Sequence, residues 1–130
     1  MAKLQNDSML DAALNWVKDH ANAVFVCSGS PTTFANVTAN AVTASAAATA
    51  GDWTGPANGD SSGRKITFGA RSGLSVTQNA TAETYALAEI SAGATAVVYV
   101  TDVTSSDIQM LTSGNTANLS AFDIEIADVS

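Results

Sequence analysis

The feature that most constrains this chain is a change of hydrophobic period near residue 20. Before it, Met9, Leu10, Ala13, Leu14, Trp16 and Val17 recur at helical spacing, with Asp11, Asn15, Lys18 and Asp19 on the remaining surface. After it, roughly a hundred residues of Thr, Ala, Val and Ser alternate in short runs broken by turn residues. The spacing predicts a helix over 8–20, with Asp7 or Ser8 as its cap and Asp11 in the capping-box position after Ser8. Residues 22–130 then form one β-rich unit, so that 1–130 is a single domain.

The short runs place the strands. Ala23–Cys27 is apolar throughout and reads as a buried first strand, and Ser28–Thr33 ends it with turn chemistry. Residues 34–50 are Ala/Thr/Val with weak periodicity and hold at most one strand, near 40–49. Residues 51–63 (GDWTGPANGDSSG) have the composition of an exposed loop. Ile66, Phe68 and Ala70 share a face, Leu74 and Val76 alternate with Ser75 and Thr77, and a strand over 83–90 follows a loop at 79–81. Ser91–Gly93 turns into 96–103, whose apolar character suggests a central strand. Ile108 and Met110 mark another strand, and Phe122, Ile124 and Ile126 alternate with Asp123 and Glu125. About seven strands at spacings near ten residues, with no helix between them, predict an antiparallel β-sandwich with one N-terminal helix, the jelly roll being one form of it.

Composition limits what such a sandwich can do. Of 130 residues, 25 are Ala, 15 Thr and 14 Ser, and the net charge is −7. Residues 72–130 contain seven acids and no base. Nucleic acid requires Lys and Arg against its phosphates, and an anionic membrane requires them too, so neither is an expected partner. The start of the chain has no apolar leader, no run reaches the length of a membrane span, and the single Cys forms no internal disulfide, which suits synthesis in cytoplasm.

Candidate chemistry is sparse, and neither a cofactor nor a metal site is expected. His20, at the helix C-terminus, suits a cap for the last carbonyls, and Cys27 suits a buried thiol. Asp123, Glu125 and Asp128 form the tightest acid cluster. Period two puts Asp123 and Glu125 on one strand face about 7 Å apart, a pair that could hydrolyse a glycosidic bond or bind a cation, or simply form a solvated face. Arg64, Lys65 and Arg71 could meet such acids on a neighbouring copy. Trp53 either plugs the core or belongs to a contact surface.

Several strings resemble small structural proteins encoded among the virion genes of tailed double-stranded DNA bacteriophages. They are Met9–Asn15 in the helix, Cys27-Ser28 with Pro31–Phe34, Gly59-Asp60 through Gly63–Lys65, and Ala121–Asp128. The resemblance implies a virion component without enzymatic activity, a decoration (cement) protein on the capsid exterior. Its partners would be the major capsid protein and further copies of itself, as a dimer or trimer. Met9, Trp16 and Val17 are then the candidate contact, unless the helix only covers its own sandwich. A tail or head-fibre component touching the host surface through Trp53 and the polar loop 51–63 is the first alternative. A carbohydrate-acting enzyme using Asp123 and Glu125 is the second.

Overall fold

A computed structural model describes residues 6–60, 62–91, 94–103 and 109–127. The order is α1 (Asp7–His20), β1 (Ala23–Cys27), α2 (Phe34–Asn40), β2 (Ala46–Ala47), a 3-10 turn (Ala50–Asp52), β3 (Trp53–Asn58), β4 (Arg64–Phe68), β5 (Arg71–Ser75), β6 (Ala80–Ala82), β7 (Thr84–Ser91), β8 (Ala94–Asp102), β9 (Gln109–Leu111), β10 (Thr116–Leu119) and β11 (Phe122–Ile126). The molecule is mainly β, antiparallel throughout its ladders, with a helix at its N-terminus.

The pairing follows one rule. β7 pairs with β8, β6 with β9, β5 with β10 and β4 with β11. These nested pairs are a long antiparallel ribbon folded over on itself, the pairing order of a jelly roll. Three further strands join the ribbon: β1 lies along β7, β2 along β1, and β3 along β4. The four-stranded order is therefore β2-β1-β7-β8, and the three-stranded order is β11-β4-β3.

Alternation along the strands makes two cores. Val24, Val26, Tyr85 and Leu87 point from the four-stranded sheet towards Ile66, Phe68, Leu74, Leu119 and Ile124 of the other strands. Four rings run through this layer: Trp53 on Phe68 (4.9 Å between centroids), Phe68 on Phe122 (5.5 Å) and Phe122 on Tyr85 (5.7 Å). The opposite face presents Ala23, Phe25, Cys27, Ala86 and Ala88, roofed by Phe34 and Val37 of α2. The three alanines keep that face low, which lets a short helix lie close to it. Here the abundance of Ala becomes packing.

Several expectations are corrected. Asn6, not Asp7 or Ser8, caps α1, its Oδ1 accepting from the Ser8 N–H at 2.8 Å. Residues 34–40, read as weakly patterned, are helical because Thr33 caps them, its Oγ1 accepting from the Asn36 N–H at 3.1 Å. A helix therefore does lie between strands, and the strand sought over 40–49 shrinks to Ala46–Ala47. Within the expected loop 51–63, Trp53–Asn58 is a strand, an edge that tolerates Gly55 and Pro56 because the ladder shifts register between Thr54 and Ala57. Ala80–Ala82 is a strand rather than a loop. β8 is an edge and not a central strand: residues 97–101 are half-buried on its two faces, and among the described residues no strand lies along its outer side. Ile108, Asp128 and residues 92–93 of the expected turn lie outside the described residues.

Candidate functional site

α1 divides its apolar residues between two stripes. Leu10 and Leu14 are buried and Val17 half-buried, at i, i+4 and i+7, where the helix packs on β3 and β4. Met9, Ala13 and Trp16 form a second stripe that faces solvent, with Met9 56% and Trp16 52% exposed. His20 continues it. Its ring stacks on Trp16 at 4.2 Å, and its Nδ1 lies 2.7 Å from the Trp16 carbonyl oxygen, closing the last turn. Of the helical candidates, Met9 and Trp16 are therefore available for contact, and Val17 belongs mainly to the molecule's own packing. The single stripe read from the sequence is two.

The helix is held at a fixed angle by its polar side. Arg64 Nε donates to Asp11 Oδ1 at 2.7 Å and Nη2 to Asp11 Oδ2 at 3.3 Å, while Nη1 donates to Asn58 Oδ1 at 2.8 Å. The Asp11 hydrogen bond holds the guanidinium pKa above its usual value. Lys18 Nζ donates to the Gly55 carbonyl at 2.9 Å. The outer stripe is thus presented on a braced helix.

The acidic strand and the basic turn meet within the chain. Asp123 pairs with Thr67 and Glu125 with Lys65 across β11 and β4. Thr67 Oγ1 donates to Asp123 Oδ1 at 2.5 Å, and Lys65 Nζ donates to Asp60 Oδ1 at 2.5 Å and to Asp123 Oδ2 at 3.3 Å. Hydrogen bonds from Thr67 first and Lys65 second pull the Asp123 carboxyl below its ordinary value, and those that Lys65 donates to Asp60 and Asp123 raise its own. A glycosidase general acid needs the opposite shift, held protonated in an apolar pocket. Arg71 Nη1 likewise spends itself at home, on the Ala47 carbonyl at 2.6 Å and Asp52 at 3.4 Å. The bases expected to reach acids of a second copy reach acids of their own chain.

Trp53 is 6% exposed, so the plug is the correct reading and the contact surface is not. Its Nε1 is buried without a hydrogen-bond partner among the described residues, as is the Thr84 hydroxyl. Cys27 is fully buried, and desolvation pushes its thiol up to about 11, far from a nucleophile's range. Among the described residues no three His, Cys, Asp or Glu side chains converge to hold a metal, and no helix is long and apolar enough to cross a membrane. One open depression lies between Asn22, Ala23, Ser45, Ala46, Ala47 and Ile90, where Asn22 bonds both the N–H and the C=O of Ile90 at 2.8 Å. No sequence signal pointed there, because Asn22 lies between elements and carries no period.

No family model matches the chain, and no curated protein or solved structure does so either.

Proposed function

We propose that the chain is a non-enzymatic virion component of a tailed bacteriophage, a decoration protein that binds the capsid exterior and strengthens contacts between major capsid subunits. The observation that carries this reading is the outward stripe of α1. Met9 and Trp16 stand exposed on a helix whose orientation Arg64 and Lys18 brace, which is what a rigid docking face requires. The resemblance of the Met9–Asn15 string to small virion proteins supports the same reading. Each copy need bind only weakly, because a shell repeats the site and copies that are linked to one another bind with avidity.

Trp53 and Asp123, on which the other readings draw, are engaged within the domain. A fibre role was to use Trp53 and the polar loop around it, and Trp53 lies in the core. A carbohydrate-acting role was to use Asp123 and Glu125, of which Asp123 is tied to Thr67 and Lys65 on a strand surface.

Sedimentation of the full chain with empty shells and, separately, with isolated tails tests the proposal. Saturable binding to shells is expected. Binding confined to tails would overturn it.

A further inference from the structure

We propose that β8 pairs edge to edge with β8 of a second copy, so that two four-stranded sheets merge into one of eight strands across a two-fold axis. The proposal does not depend on the capsid role.

β8 is the longest strand among the described residues and the outer strand of its sheet. Among the described residues no strand lies against its outer row of backbone N–H and C=O groups. Exposed edges are normally blunted by Pro, Lys, irregularity or brevity. β3 shows these devices: Pro56 lacks an N–H, the ladder shifts register, and Lys18 covers the Gly55 carbonyl. β10 and β9 are short. β8 carries neither Pro nor Lys, and no charge before Asp102.

What it does carry is a bulge that selects its partner. β7 pairs Leu87 with Tyr99 and Ala88 with Val97, which leaves Val98 unopposed. Val98 and Tyr99 consequently both face the main core, while Val97 and Val100 face α2. A regular strand can pair here only by leaving one residue of β8 without a counterpart, as β7 does. A second β8 contains the same extra residue. Paired antiparallel about a centre between Val98 and Tyr99, every residue meets one on its own face: Val97 with Val100, Val98 with Tyr99, Ala96 with Thr101. The two Asp102 side chains fall at opposite ends, each beside a Thr95, so the like charges stay apart. Such an isologous pairing uses both β8 edges on each other and leaves no β8 edge for a third copy.

Mass and register test this together. The full chain is expected to have twice its 13.1 kDa mass in solution. Ala96→Cys and Thr101→Cys chains, mixed and oxidised, should form a disulfide between copies, because the two positions oppose one another. Neither variant should link to itself, since equivalent Ala96 positions lie about 17 Å apart along the strands, beyond disulfide reach. Buried Cys27 stays out of the reaction. A monomer at every concentration, a trimer, or efficient self-linking of Ala96→Cys would overturn the proposal, as would failure of the mixture to link.

Discussion

Arg64 grips Asp11 through two hydrogen bonds, 2.7 and 3.3 Å long, and so fastens the first helix to a strand 53 residues further along the chain. Both side chains are partly shielded, 18% and 27% exposed, and the fork geometry suits a carboxylate better than a lysine would. Arg64→Ala and Asp11→Asn should each lower Tm by a few degrees and speed amide exchange in α1 more than in β7. The double variant should cost little more than either single one, because both break the same contact. Fully additive losses would show that the pair does not act as a unit.

The two stripes of α1 should separate in stability measurements. Leu14→Ala removes a buried side chain and should cost about 2–5 kcal/mol. Trp16→Ala and Met9→Ala remove exposed ones and should stay within about 0.5 kcal/mol of the parent. Urea unfolding followed by circular dichroism makes the comparison. A large loss at Trp16 would mean that it belongs to the domain's own core.

Asp123 sets an acid limb. Its carboxyl is held below the ordinary value of 3.8 in the fold, chiefly by the Thr67 hydroxyl. A group whose folded pKa is depressed adds stability that is present above the unfolded value and is lost as pH falls through the folded one. Thr67→Val should therefore reduce stability at neutral pH and flatten its decline below about pH 4. An unchanged acid limb in that variant would contradict the assignment.

Gly63 cannot be replaced. Its φ is +72°, and an ideal Cβ there would lie 1.8 Å from the Ile126 carbonyl oxygen. The conformation alone costs a non-glycine residue about 1–3 kcal/mol, and the clash forces β11 to move as well. Gly63→Ala should lose at least that much in denaturant titrations. Gly73→Ala, with a φ of +75° and open space around it, should lose only the conformational part.

What the sequence made legible is what periodicity encodes. Leu10 and Leu14 at helical spacing gave α1, and Phe122, Ile124 and Ile126 at period two gave β11. α2 was hidden because FANVTAN offers one buried position, Val37, and relies on a cap at Thr33 that resembles a turn. β3 was hidden because Gly55 and Pro56, which read as loop, are equally the marks of a protected edge. β8 was misplaced for a third reason. Apolar content reports how far the faces of a strand are covered, and the middle of β8 is half-buried on both. It carries no information on whether another strand lies alongside. The acids of β11 and the bases of β4 were legible as residues, but not that the two strands lie side by side, where Lys65, opposite Glu125, reaches diagonally to Asp123 of its own chain.

The proposed contact with a capsid runs through Trp16, on the outward side of α1. The most direct measurement is the affinity of the parent chain and of Trp16→Ala for empty shells, read from depletion in sedimentation with both proteins shown to be folded. Loss of a hot-spot tryptophan should weaken binding by at least tenfold, the equivalent of about 1.4 kcal/mol. Equal binding by the two chains, or none by the parent, would contradict the account.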